Sequence, residues 1–176
     1  FLIIFPELKN VKIFSKLNSY YKDLLKENDF IFLLSLLVID DNDNLDYFLY
    51  KFNISKQNQK RMKIIDNFYK EKMTVNTFIE KNMNKVLYYH GKQAVLDILN
   101  LRIVKSKKIN KTLIELSQTY RGKKIPSMPI SADLLMKKYN LSEGKQLGEK
   151  LKTIEQIWVK NDFKISDQQV DNIINN

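Results

Sequence analysis

The densest cluster of groups that could do chemistry is an acidic segment at residues 40–46, which has four aspartates and two asparagines around one leucine. Carboxylate and amide oxygens are typical calcium ligands. Counted from Asp41, however, a calcium loop would need glycine at its sixth position and glutamate at its twelfth, where the chain has Asp46 and Phe52. The spacing therefore excludes a calcium loop of this kind.

The same segment contains a second candidate metal pair. Asp41 and Asp43 have the Asp-x-Asp spacing of nucleotidyltransferase sites, which hold magnesium ions against the phosphates of a nucleotide. Such a site also needs backbone that a triphosphate can approach closely, and no glycine precedes Gly91. We therefore interpret the segment as a solvated loop between two helices, with the magnesium pair as the weaker alternative.

His90 is the only histidine, and the chain has no cysteine. These counts exclude disulfide scaffolds, thiolate metal sites, zinc sites built from several histidines and a cysteine nucleophile. His90 follows Tyr88 and Tyr89, and no carboxylate lies at a spacing that would orient it as a general base. We interpret it as a histidine at the C-terminal end of a helix, where the helix dipole favours it.

Motifs that bind phosphates or activate nucleophiles are also missing. The sequence has no Gly-x-Gly-x-x-Gly, no phosphate loop and no Gly-x-Ser-x-Gly elbow. We therefore expect no catalytic residue and no metal site in this chain.

The charge of the chain indicates a polyanionic partner. Thirty Lys and Arg residues against twenty Asp and Glu give a net charge of +10, which is typical of proteins that bind nucleic acid or an anionic membrane surface. Only three of the thirty are arginine, while lysine, asparagine and isoleucine are abundant, as A/T-rich codons would produce. The alternative to a nucleic-acid-binding protein is therefore a helical protein-interaction module that does not bind RNA. Whether such a module self-associates is left open.

Basic residues gather where several phosphates could be neutralised together. One group lies on a single predicted helix and comprises Lys56, Lys60, Arg61 and Lys63. One further group surrounds a helix junction and another precedes a proline connector, and we expect these two groups to form a concave basic surface. Lys145 lies beside exposed amides at a predicted helix N-terminus. The residues that we predict to contact RNA are Arg102, Lys105, Lys107, Lys108, Arg121, Lys123, Lys124 and Lys145. An ordinary solvated lysine face is the alternative for each group.

The elements that position these residues are predicted to be helices throughout. The chain has only 4 glycines and 3 prolines, and no Asn-Gly or Asp-Gly pair lies between alternating runs, which argues against sheets. The predicted fold class is all-α, an irregular bundle of about ten helices without a sheet. These helices lie at residues 7–26, 29–39, 44–52, 56–72, 75–89, 92–105, 110–121, 132–139, 143–161 and 167–174.

Several helix ends are marked by residues that favour them. Ser55 and Thr74 precede predicted helices, and their hydroxyl groups can cap the exposed amides of the first turn. Gly91 and Gly122 follow predicted helices and can adopt the left-handed conformation of a C-terminal cap. We expect one helix to end at Gly91 and the next to start directly after it.

The clearest boundary between two parts of the chain is the segment Pro126–Pro129. Its prolines cannot continue a helix and make the segment a rigid connector. We predict a helical body at residues 1–122 and a helical tail at residues 123–176.

The longest apolar run, Phe30–Ile39, has 10 residues with Ser35 inside it. A membrane span needs roughly 20 residues, so we expect this run to be a buried helix. No charged region followed by an apolar stretch and a cleavage site opens the chain, which starts with Phe1. We expect a cytoplasmic protein, of which this chain is a fragment.

Three segments contain residues of a known pattern in a consistent order. Near the C-terminus these residues are Pro129, Asp133, Leu134, Leu135, Gly144, Gly148, Leu151, Glu155, Trp158 and Phe163. Weaker matches lie at 52–57 and 91–97, so that the three cover about residues 45–163. The pattern resembles the C-terminal region of bacterial class II CCA-adding enzymes, the tRNA nucleotidyltransferases that are closely related to bacterial poly(A) polymerases.

The sequence departs from that pattern around one turn. The family's glycine before Asp133 is missing, Asn140 replaces a turn glycine, and Glu143-Gly144-Lys145 replaces Pro-Gly-Pro. Asparagine tolerates the left-handed conformation better than most residues, so the turn can still form. We expect Gly144 and Gly148 to permit close helix packing, and Trp158 to anchor the last turns together with Phe163.

The resemblance implies a division of labour within a longer protein. A catalytic head would bind magnesium, CTP and ATP, whereas this chain would be the helical body and tail, without a cofactor of its own. In this family the body and tail hold the acceptor and T arms of the tRNA while its 3′ end grows. The resemblance therefore implies tRNA as the partner, and it leaves the same region of a poly(A) polymerase as the alternative.

Overall fold

Helices form the regular structure of the described chain. The computed structural model describes residues 5–12, 19–26, 28–40, 42–70, 78–106 and 108–175, and no strand occurs in these ranges. The predicted all-α fold class is therefore confirmed. The helices are α1 (Ser19–Lys26), α2 (Phe30–Val38), α3 (Asn44–Lys51), α4 (Lys56–Lys70), α5 (Glu80–Lys105), α6 (Lys111–Gly122), α7 (Ala132–Tyr139), α8 (Lys145–Lys160) and α9 (Asp167–Asn175).

The predicted boundaries of α2–α4 and α6–α9 agree with the observed ones within two residues. The predicted helix start at residue 7 is wrong, because residues 6–11 form turns. The reason is a long-range contact: the backbone N–H of Asn10 donates to Leu37 O at 3.2 Å, and its side-chain Nδ2 donates to Ile39 O at 2.8 Å. These bonds hold the segment against the end of α2 instead of within a helix.

Gly91 interrupts α5, as its position in the sequence predicts. Its φ of 82° and ψ of 174° lie outside the helical region, so one helical segment ends there and the next starts directly after it. The positive φ agrees with the prediction. The ψ, however, is that of an extended residue and not that of a left-handed cap. The start of α5 is at Glu80, and the predicted capping residue Thr74 lies outside the described residues.

Two other predicted caps have different outcomes. The hydroxyl of Ser55 accepts a hydrogen bond from Asn58 N at 3.4 Å, which confirms it at the start of α4. Gly122 is instead the last residue of α6, and the cap is Lys123 in an extended conformation. The chain leaves α6 without a left-handed residue because it continues directly into the extended segment before Pro126.

The chain forms two compact units that divide between Lys123 and Lys124. In the first unit, α5 packs against both α4 and α6. Fully buried side chains at its centre include Phe32, Leu36, Met62, Ile65, Met83, Leu87, Leu99 and Tyr120. The apolar run is α2, and its burial confirms the prediction. Within the described ranges, no helix is long and apolar enough to cross a membrane.

The second unit consists of α7, α8 and α9, and its core is formed by Leu135, Leu147, Ile154, Val170 and Ile174. Asn140 has φ 52° and ψ 38°, which confirms the left-handed turn after α7. Trp158 is buried, and its ring centroid lies 4.9 Å from that of Phe163 in an edge-to-face pair, as predicted. The packing role predicted for Gly144 and Gly148 is wrong, because a Cβ at either position would meet no described atom within 4 Å.

Candidate nucleic-acid interface

The acidic segment joins α2 to α3, and lysines neutralise its described carboxylates. Asp40 lies 3.4 Å from the ammonium of Lys9. Asp43 and Asp46 each lie 3.5 Å from a lysine of α4, Lys70 and Lys63 respectively. Asp40, Asn42 and Asp43 therefore lie in an inter-helix loop, as interpreted from the sequence, whereas residues 44–46 form the first turn of α3, with Asn44 and Leu45 buried. Asp41 lies outside the described residues.

The described residues do not fit a magnesium site. No group of three or more His, Asp or Glu side chains in them is placed to hold a metal ion. Among the described residues, none is therefore assigned to the magnesium, CTP or ATP that the family resemblance implies.

One member of the basic group on α4 is not available to a ligand. Arg61 donates two hydrogen bonds to Asp97, at 2.6 and 2.8 Å, and a third to Asp29 at 2.6 Å. Burial disfavours its positive charge, but the hydrogen bonds to Asp97 and Asp29 outweigh burial and raise the pKa of Arg61. Arg61 therefore joins helices, whereas its neighbour Lys60 is exposed to solvent.

The predicted basic residues at the C-terminal end of α5 lie against aromatic rings. The ammonium of Lys105 is 3.6 Å from the ring centroid of Tyr69 and donates to Ile39 O at 3.2 Å. The guanidinium of Arg102 lies 5.7 Å from the ring centroid of Phe78. Both line a small cavity of about 70 Å³. Lys105 is half-buried, whereas Arg102 is exposed. The third predicted residue of this group, Lys107, lies outside the described residues.

The remaining predicted residues differ in how strongly their charges are already paired. Lys123 forms an ion pair with Glu80, and its ammonium lies 4.8 Å from the ring centroid of Tyr120. Lys145 is exposed at the start of α8, with Glu149 at 3.8 Å. Lys108 and Lys124 are exposed on the surface of their units. An exposed pair such as that of Lys145 is weak, so this cation can still exchange its partner for a phosphate.

Arg121 is placed beside the interruption of α5. The ammonium of Lys92, the residue after Gly91, donates to the backbone oxygen of Arg121 at 2.9 Å. His90 lies on the other side of Gly91, and partial burial of its ring and then the charge of Lys60 lower its pKa. Three helices therefore supply what we name the break surface, which comprises Lys60, Tyr89, His90, Lys92 and Arg121.

Sequence reasoning identified only part of the break surface. Arg121 was predicted as an RNA contact, Lys60 was grouped with other residues of α4, and His90 was interpreted as a helix end. Lys92 was missed, although two tyrosines and a histidine come directly before a glycine that breaks a helix, and Lys92 comes directly after it. That grouping of aromatic residues and a lysine around a glycine is the signal in the sequence that could have identified it.

A match to a known protein family covers residues of both units. The family model described as tRNA nucleotidyltransferase domain 2 matches residues 23–170. No curated protein matches the chain, and no solved structure matches it. The family match covers most of the chain and includes every helix from α2 to α8, which confirms the predicted resemblance. The chain belongs to the family of tRNA nucleotidyltransferase domain 2.

Proposed function

We propose that this chain binds tRNA and positions it while a nucleotidyltransferase head adds CCA to its 3′ end. The observation that carries the proposal is the family match over residues 23–170, in a chain whose net charge is +10. Magnesium, CTP and ATP would then bind to the head. In this proposal the chain supplies affinity and orientation, and it takes no part in the chemical step.

The contacts would be made to the phosphate backbone. Phosphate contacts position a nucleic acid without reading its sequence, which suits a protein that must accept many different tRNAs. In the first unit, Arg102, Lys108 and Arg121 have the exposure that such contacts need. In the second unit, Lys124 and Lys145 have it.

Lys105 and Lys123 would contribute less directly. Each ammonium already has a partner in the fold, Ile39 O with the Tyr69 ring for Lys105 and Glu80 for Lys123. Exchange of these partners for a phosphate would offset part of the gain, since buried or paired cations give up interactions before they form new ones. Lys107 stays a predicted contact on the basis of its position in the sequence.

Salt dependence of tRNA binding tests the proposal. A protein that neutralises several phosphates releases their counterions, so log affinity falls linearly as log salt rises. We expect measurable tRNA binding by the 176-residue chain at low salt and a steep loss between about 50 and 200 mM salt. Absence of binding, or a flat salt dependence, would instead support a helical protein-interaction module.

A second assay separates the two activities within the family. The region of a poly(A) polymerase would have the same fold and the same basic surface. Joined to its head, the chain is expected to support addition of CCA to tRNA that lacks it, without a template. Synthesis of long adenylate tails would assign it to a poly(A) polymerase instead.

A further inference from the structure

Tyr89 is an exposed aromatic residue in a basic environment. Its side chain is 54% exposed, although it lies on α5, the helix that contributes most to the core of the first unit. Its ring centroid lies 5.1 Å from that of Tyr88, edge to face, and 6.4 Å from that of His90. The three neighbouring rings therefore form an aromatic cluster on the surface, directly before Gly91.

Positively charged residues of α4 and α6, as well as of α5 itself, lie near this aromatic cluster. Lys60 of α4 is close enough to His90 to lower the pKa of the imidazole. Lys92 of α5 contacts the backbone of Arg121 in α6, on the other side of the glycine. An anionic backbone that passes over the break surface would thus meet cations from three helices near the rings.

The orientation of these groups is fixed by the fold. Gly91 has φ 82° and ψ 174°, a conformation that is nearly restricted to glycine, and it sets the angle between the two halves of α5. The ion pair between Arg61 and Asp97 holds α4 against the half that follows the break. A preorganised aromatic surface loses little conformational entropy when it binds a ligand.

We propose that Tyr89 stacks on an unpaired nucleobase of the bound RNA, while Lys60 and Arg121 bind phosphates near that base and Lys92 holds the backbone of Arg121 in place. This inference rests on the proposed function and names one contact within it. Aromatic stacking on a base is tolerant of sequence and contributes about 1–3 kcal/mol per base. Bases inside an A-form duplex are already stacked on both faces, so the surface would take an unpaired nucleotide rather than a base within the duplex.

The inference predicts a preference for RNA with a single-stranded end. We expect the wild-type chain to bind an acceptor-stem hairpin with an unpaired 3′ end about tenfold more tightly than the same hairpin with a blunt end. A Tyr89→Ala variant is expected to lose this preference and to bind both hairpins as the wild type binds the blunt one. Tyr89→Phe retains the ring and is expected to behave like the wild type.

The chain offers a matched control for the loss of a tyrosine. Tyr50 is 93% exposed and lies on α3, which contributes no residue to the break surface. Tyr50→Ala removes the same side chain, and we expect it to leave the affinities for both hairpins unchanged. Circular dichroism and urea unfolding of all three variants establish that they are folded.

Fluorescence from 2-aminopurine at the unpaired position reports stacking directly. We expect binding to quench this fluorescence with the wild type and with Tyr89→Phe, but not with Tyr89→Ala. If the wild type binds no tRNA, the proposed function fails and the inference fails with it. If the wild type binds tRNA but Tyr89→Ala shows the same preference and the same quenching, or weakens both hairpins equally, only the stacking inference is overturned.

Discussion

The guanidinium of Arg61 binds the carboxylate of Asp97 through two hydrogen bonds, from Nε to Oδ2 at 2.6 Å and from Nη2 to Oδ1 at 2.8 Å. Asp97 is fully buried and also accepts a hydrogen bond from Gln93 at 2.9 Å. The pair joins α4 to α5 one to two turns after the interruption at Gly91. It thereby fixes the position of Lys60, the neighbour of Arg61, beside His90.

Loss of the Arg61 side chain is expected to destabilise the first unit strongly. Arg61→Ala leaves the buried carboxylate of Asp97 without its counter-charge, and such a change typically costs about 3–5 kcal/mol. Urea unfolding measures the free energy. Arg102→Ala removes the same charge from an exposed position and is expected to change the free energy of unfolding by less than about 0.5 kcal/mol. Equal effects of the two variants would contradict the structural role of Arg61.

The interruption of α5 is expected to depend on glycine. A side chain at Gly91 meets no described atom within 4 Å, but its positive φ is unfavourable for any residue with a Cβ. We expect Gly91→Ala to lower the free energy of unfolding by about 1–2 kcal/mol. Gly148→Ala is the control: it also meets no described atom within 4 Å, and alanine should stabilise α8 by about 0.5–1 kcal/mol. Thermal unfolding measures the change in stability of both variants. A change of the same sign in both would contradict this prediction.

Asp66 is expected to make stability fall as pH rises. Burial raises the pKa of Asp66, and the nearby Asp46 and Asp40 add to this effect, while Lys70 opposes it. The folded state therefore holds this proton more tightly than the unfolded state, so its contribution is lost as pH rises through the folded pKa. One oxygen, Oδ1, also has no hydrogen-bond partner among the described residues.

The variant Asp66→Asn removes this cost of ionisation. We expect it to be about 1 kcal/mol more stable than the wild type at pH 7, with the difference shrinking towards pH 3. Asp23→Asn changes an exposed carboxylate that is not among the charges acting on Asp66, and it serves as the control. A stability difference for Asp66→Asn that does not vary with pH would show that ionisation of Asp66 is not its source.

Lys123 is expected to support the fold more than RNA binding. Its ammonium is paired with Glu80 and lies over the ring of Tyr120. We expect Lys123→Ala to change the slope of log affinity against log salt by clearly less than 1, whereas Arg121→Ala reduces its magnitude by roughly 1. Fluorescence anisotropy with labelled tRNA measures both slopes. A larger change for Lys123→Ala than for Arg121→Ala would reverse this assignment.

The predicted bounds of α7 agree with the structure, in which each end of the helix has a local determinant. Ser131 caps the first turn through a hydrogen bond from Leu134 N at 3.2 Å, and Asn140 supplies the left-handed residue after the last turn. The same kind of reasoning failed before α1, where Asn10 bonds to the end of α2 instead of to its neighbours in the chain.

The candidate site was less predictable than the helices. Lys60 and Arg61 are adjacent and carry the same charge, yet one is exposed and the other forms an ion pair with a residue 36 positions further along the chain. Periodicity cannot distinguish them, because the partner becomes visible only when α4 and α5 are packed. The aromatic and basic residues around Gly91 were likewise visible in the sequence, but the hydrogen bond from Lys92 to Arg121 was not.

The central claim, that this chain holds tRNA through a particular basic region, is tested most directly by two triple variants of equal charge. One replaces Arg121, Lys123 and Lys124 with alanine, and the other replaces the exposed Lys152, Lys160 and Lys164. Affinity for tRNA is measured at several salt concentrations, and circular dichroism establishes equal helical content. We expect the first variant to bind more weakly, with a salt slope reduced in magnitude by roughly 1 for each phosphate that is no longer neutralised, and the second to retain the slope of the wild type. If the first variant binds as tightly as the wild type at every salt concentration, or if both variants weaken equally, these residues do not form the tRNA-binding surface.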